Sequence, residues 1–197
     1  MGTAAALNSK TGIVGFIGGV NTNHIQNIEQ GYTSGARYIN PTIQVLSNFI
    51  GEDGKAFNNP EKAFQLSLSQ FSSGADVIFH ASGASGLGLI DAAVSQNKLM
   101  IGIDSDQSLS ASINQRPYII TSMIKAVDNV VYNMIGRAMG GSLQGGYYDF
   151  GLKESGVGYA ENKHNASLLQ PIKPILEDVK KKIIEGEIVL PKQIIWH

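Results

Sequence analysis

Two carboxylates close an apolar run. Leu99-Met-Ile-Gly-Ile103 has the composition of a buried strand, and Asp104-Ser-Asp106 follows it at once. An acid at the mouth of a strand, beside a low-dielectric crevice, is a strong acceptor for paired hydroxyl donors such as a sugar diol. Each charge-assisted hydrogen bond contributes about 1.5–3 kcal/mol. The residues themselves leave other chemistries open. Asp104 could cap the turn that follows. The two acids could hold a metal, although no third ligand stands near them in the sequence, or act as an acid/base pair. Only one of them is expected to point into a given cleft.

Two glycine-bearing segments compete for the same role. Gly18-Gly19 follows Ile13-Val-Gly-Phe-Ile17, and Ser82-Gly-Ala-Ser-Gly86 follows Ala75-Asp-Val-Ile-Phe79. In a parallel sheet the ligand crevice lies at the carboxyl ends of the strands, where glycine lets backbone amides approach a ligand. Nucleotide-phosphate signatures are missing: there is no GxxxxGK[ST], and no GxGxxG after the first strand. GASGL around Ser85 is not the GxSxG elbow of a hydrolase. His24, His80, His164 and His197 lack paired ligand spacing and read as turn or surface positions. No metal or cofactor is expected.

The elements that must position these residues alternate. Strand-length runs at 13–17, 43–46 (extending towards 50), 75–79 and 99–103 are separated by segments of helical period at 24–40, 60–72 and 88–96. This rhythm predicts an α/β fold, a parallel sheet with helices on both faces. After Gln107 the pattern loosens. A strand is expected at 118–121, a helix from Ile124 to Met139, a turn and strand at 145–150, a short extended piece at 156–159 and a closing helix at 168–186. Lys180-Lys-Lys182 on that last helix reads as a solvated face.

Composition narrows the classes. Apolar residues make up 43% and charged residues 16%, which supports a core and argues against disorder. The net charge of -1 gives no electrostatic case for nucleic acid or an anionic membrane surface. With no cysteine there is no disulfide or thiolate chemistry. The N-terminus lacks the order of basic then apolar residues of a secretory leader.

At these residues the chain resembles the basic membrane protein (Bmp/Med-type) family of ABC-transporter solute receptors, which includes the purine nucleoside receptors. The resemblance runs through SKTGIVGFIGGV (9–20), IEQGYTSGARYINP (28–41), KAFNNP (55–60), GADVIFHASGASGLGL (74–89), IGIDSDQ (101–107), TSMIKAVD (121–128) and GVGYA (156–160). It implies a type-I periplasmic-binding-protein fold whose two lobes close on a nucleoside. Residues 1–105 and 153–197 would form an essentially complete second lobe. Residues 106–152 would be the hinge and a partial first lobe, the rest of which precedes SKTG in the family.

By the same resemblance Phe57 stacks on the base, Gly83 lies in the glycine turn that meets the ligand, Asp104 binds the ribose hydroxyls and Lys125 completes that polar end. The residues are compatible with these roles. Phe57 lies in a Gly/Asn/Pro-rich loop with no helical partner. Lys125, read as opening a helix where the dipole disfavours a cation, would be compensated by an anion. Asn58-Asn59 and SGASG depart from the family's usual acid and AGGTG, which leaves base preference open. Implied partners are a nucleoside and the permease and ATPase subunits of an importer. Implied localisation is extracytoplasmic, periplasmic or lipid-anchored. The apolar faces of the 118–121 strand and the following helix are expected to be exposed, or covered by a homodimer or swapped assembly. Two rivals remain: a ligand-sensing regulatory domain of the same fold, and a doubly wound enzyme using Asp104 and Lys125.

Overall fold

A computed structural model describes residues 1–191. The elements in order are α1 (Gly2–Asn8), β1 (Ile13–Val20), α2 (Asn23–Ile39), β2 (Gln44–Gly51), α3 (Pro60–Ser72), β3 (Val77–Ala81), α4 (Gly86–Gln96), β4 (Leu99–Asp104), α5 (Gln107–Ser110), β5 (Ile119–Lys125), α6 (Val127–Met139), β6 (Val157–Tyr159), α7 (Ala166–Leu169) and α8 (Lys173–Ile184). They build one sheet of order β2-β1-β3-β4-β5-β6. The first five strands are parallel, and β6 is antiparallel to β5.

Each parallel strand serves two cores, as the period of two requires. Val14, Phe16, Val77, Phe79, Ile101, Ile103 and Ile120 point to the face covered by α1, α2, α7 and α8. Ile17, Ile78, Met100 and Ile119 point to the face covered by α3 and α4. Burial on both faces is why these strands read as continuous apolar runs. An aromatic group anchors the first core, with Tyr32 and Phe16 at 5.3 and 5.9 Å from Phe79, ring centre to ring centre.

The helices start and stop for local reasons. Thr22 accepts from the Ile25 amide at the head of α2, and Asn59 accepts from the Lys62 amide at the head of α3, with Pro60 in its first turn. Buried Asp76 accepts from Ser9 Oγ at 2.7 Å and from the amides of Lys10 and Thr11 at 2.6 and 2.9 Å, fixing the chain's entry into β1.

Several expectations are corrected. β1 does not stop before Gly18-Gly19 but runs through them, because Gly18 pairs with Phe49 and Val20 with Gly51. The strand expected in the partial lobe is longer than 118–121 and lies in this sheet beside β4, so Ile119 and Ile120 are buried rather than exposed. Lys125 does not open a helix; it ends β5 opposite Val157. No strand forms at 145–150. The helix expected at 168–186 is split at Gln170–Ile172, where Pro171 has no N–H to donate.

Among the described α-helices, α6 alone has no buried residue. Its Val127, Tyr132 and Met139 are 61%, 79% and 85% exposed. The Arg137 guanidinium of this helix lies 5.5 Å from the centre of the Tyr148 ring. Lys180 and Lys182 of α8 pair along the helix with Glu177 and Asp178, as a solvated face does. Among the described residues no helix is long and apolar enough to cross a membrane.

Candidate functional site

The parallel strands end together, and the four residues singled out by sequence stand at or near those ends as two pairs. β1 sends its crossover to β2 on one side and the chain then returns to β3 on the other, so a topological switch point lies between β1 and β3.

Phe57 and Gly83 form the pair at that switch point. Phe57 sits on a 3-10 turn, Gly54–Asn58, and its ring lies over the end of β1. A methyl group on Gly19 would come within 2.4 Å of the ring, so Gly19 is what allows Phe57 to lie there. Gly83 has φ +56°, a conformation that favours glycine, and a Cβ there would meet the Phe57 carbonyl at 3.2 Å. The two loops are tied by Ser85, which the sequence offers only as a rejected nucleophile. Buried Ser85 donates to the Ala56 carbonyl at 2.7 Å and accepts from the Asn59 amide at 2.7 Å, so it straddles Phe57.

Asp104 and Lys125 form the second pair, at the ends of adjacent strands. Lys125 Nζ lies 2.8 Å from Asp104 Oδ1, and the two side chains are 37% and 51% exposed. Asp104 has φ +70°, and the Ser105 amide closes back on the Ile103 carbonyl at 2.9 Å, so Asp104 is the centre of a γ-turn. Positive-φ γ-turns are rare and strained, and strain of this kind clusters at ligand sites.

The turn also separates the two acids. Residues two apart share a face of an extended strand, but here the pleat is broken. Asp106 goes to structure, accepting from Ser108 N and Oγ at 3.1 and 2.7 Å and from the Asn162 side-chain Nδ2. The capping role weighed for Asp104 therefore belongs to Asp106. Among the described residues no group of three acids or histidines could hold a metal. A cavity of 540 Å³ between α2, β6 and α8 is lined by Tyr32, Met123 and Ile183 and touches none of the four residues.

His80 is the plainest correction. It is not a turn or surface residue but fully buried in β3. Its Nε2 lies 2.9 Å from Gln107 Oε1 and its Nδ1 lies 3.1 Å from Ser82 Oγ. An amide oxygen can only accept, so Nε2 carries the proton and Nδ1 accepts from the Ser82 hydroxyl. Burial holds the imidazole below its ordinary range, against the opposing pull of the Gln107 bond and the Asp104 charge.

Stability should therefore depend on pH. Above the ordinary imidazole pKa of about 6.5 both folded and unfolded states hold His80 neutral. As pH falls through that value the unfolded chain takes up a proton that the folded chain refuses, and stability drops. His164 is also held low and acts in the same direction, so the test is a difference. Urea midpoints at pH 7.5 and 5.5 should diverge more for the wild type than for His80→Gln. Equal divergence would contradict the assignment.

The sheet order and crossovers place the chain in a class, that of type-I periplasmic-binding-protein folds. The solute-binding protein of an ABC transporter system from Conexibacter woesei superposes with a TM-score of 0.78 at 17% identity, covering 96% of this chain and 60% of that one. A transcriptional activator of the comK gene from Bacillus halodurans gives 0.78 at 23%, covering 97% and 62%. At these identities the likeness is one of fold. The family is shown by sequence: residues 1–193 match the Bmp family, described as "ABC transporter substrate-binding protein PnrA-like", and the chain belongs to it.

Its curated relatives include the CD4+ T-cell-stimulating antigen of Listeria monocytogenes, 34% identical over 206 residues, covering 98% of this chain and 56% of the relative. Basic membrane protein D of Borreliella burgdorferi is 34% identical over 194 residues, covering 96% and 54%. The chain thus spans little more than half the length of these relatives.

Proposed function

We propose that this chain is the larger part of a non-catalytic solute receptor serving an ABC importer, and that its solute is a nucleoside, most simply a purine nucleoside. One observation carries the reading. Asp104 is held in a strained turn at a strand mouth with its carboxylate half exposed and steadied by Lys125. That arrangement suits a ribose diol, whose two hydroxyls donate to the two carboxylate oxygens. Phe57 offers a π-face for the base, beside the backbone of Gly83.

In this reading residues 1–125 and 157–191 belong to one lobe, so the boundary expected at 105 moves to the end of β5. β5 belongs to that lobe's sheet, so the crossing begins at Lys125–Ala126, where the Ala126 amide bonds the Gly156 carbonyl at 2.9 Å. Residues 126–156 belong to the opposite lobe. The receptor's partners are the importer's permease and ATPase subunits, and its place is extracytoplasmic, as a lipid-anchored or periplasmic protein.

The bare face of α6 is where the remainder of the opposite lobe would pack. Expressed alone, this chain should self-associate through that face. Light scattering during size exclusion should report a dimer or larger species, and a clean, stable monomer would contradict this.

Amide chemical shifts test the function, because they register even millimolar binding. Inosine, adenosine and guanosine should each move the amides of residues 57, 83 and 104 saturably, and NAD should not. Turnover of any of these ligands, or silence from all three nucleosides, would overturn the receptor reading. The fold shared with the Bacillus halodurans activator supports a second reading, a ligand-sensing regulatory domain. Retarded DNA migration in a gel-shift assay would favour it.

A further inference from the structure

We propose that His80 is a positioning residue that ties the two halves of the candidate site to each other. Its two ring nitrogens reach in opposite directions along the strand ends. Through Nδ1 it holds Ser82, the residue before Gly83, at 3.1 Å. Through Nε2 it holds Gln107, three residues after Asp104, at 2.9 Å. The Gln107 backbone N–H donates to Ser122 Oγ at 3.1 Å, on the strand that ends in Lys125. A continuous polar chain, Ser82–His80–Gln107–Ser122, therefore runs beneath both pairs. His80, Ser82 and Ser122 have no exposed surface.

Two glycines keep its path clear. A methyl on Gly86 would come within 2.0 Å of the His80 ring, and one on Gly102 within 2.2 Å of Gln107 Oε1. An apolar pair would fill this space without burying polar groups, and a buried polar network is costly unless fully paired. What the network adds is geometry. It fixes the turn that carries Gly83 against the turn that carries Asp104 and against the end of β5.

Describing these turns as the ligand site rests on the reading above. The coupling between them does not, and the test separates the two. The amide nitrogen of a glutamine reaches about where Nε2 lies and donates as it does, and the amide oxygen of an asparagine reaches about where Nδ1 lies and accepts as it does. His80→Gln should therefore keep the Gln107 bond and disturb the amides of residues 82–86. His80→Asn should do the reverse, disturbing those of 104–108. Gln107→Leu, which leaves the histidine in place, should move the 82–86 amides through it, and this variant decides the matter if either histidine variant fails to fold.

All three should weaken inosine binding at least tenfold. Shift changes without this directional pattern, or changes in Gln107→Leu that stop short of residue 82, would overturn the proposal. If wild-type amides ignore inosine, the nucleoside reading falls, and the directional pattern still decides the coupling.

Discussion

Asp104→Asn is expected to weaken inosine binding by about 2–3 kcal/mol, roughly 30- to 150-fold in Kd. Asparagine is the informative replacement. It has nearly the shape of aspartate and is among the few residues that tolerate the positive φ found here, so the γ-turn should survive. It removes the charge and one of two acceptors. Stability should hardly move, because the Lys125–Asp104 pair is solvent-exposed on both sides and such pairs contribute about 0–1 kcal/mol. Binding measured by amide shifts and the urea midpoint, taken on the same samples, separate the effects. Parallel loss of both would mean that Asp104 serves the fold and not a ligand.

The second large effect is at Phe57. Stacking of a base on an aromatic side chain contributes about 1–3 kcal/mol, so Phe57→Leu should weaken nucleosides roughly 5- to 150-fold. Leucine keeps apolar volume over Gly19 and against the neighbouring core, and so limits the loss of stability that alanine would add. Phe57→Trp keeps the π-face and should keep affinity. If leucine and phenylalanine bind inosine alike, the ring is a loop anchor, packed on β1 for stability alone.

Much of the geometry of this candidate site is legible in the sequence because its signals are local. IGIDSDQ ends a strand in acid within one window, and SGASG marks a turn that needs positive φ at Gly83. The sheet was legible for the same reason: burial on both faces leaves unbroken apolar runs. What escaped depends on partners far along the chain. His80 looks like a surface residue until Gln107, twenty-seven positions later, closes over it. Gly18-Gly19 reads as a turn until β2 extends the ladder beside it. The helical spacing of Ile124, Val127, Val131 and Ile135 extended that helix backwards over Lys125, whereas pairing with Asp104 and Val157 keeps Ile124 and Lys125 in a strand. The exposed face of α6 was anticipated, but not that the strand before it would be fully committed to the sheet.

The most direct measurement is a comparison of inosine with 2′,3′-dideoxyinosine on the wild type and on Asp104→Asn. If the carboxylate grips the diol, deleting the hydroxyls should cost the wild type about as much as the mutation does, and cost the mutant, which keeps one neutral acceptor, much less. Equal binding of the two ligands by the wild type, or two losses that simply add, would contradict the account.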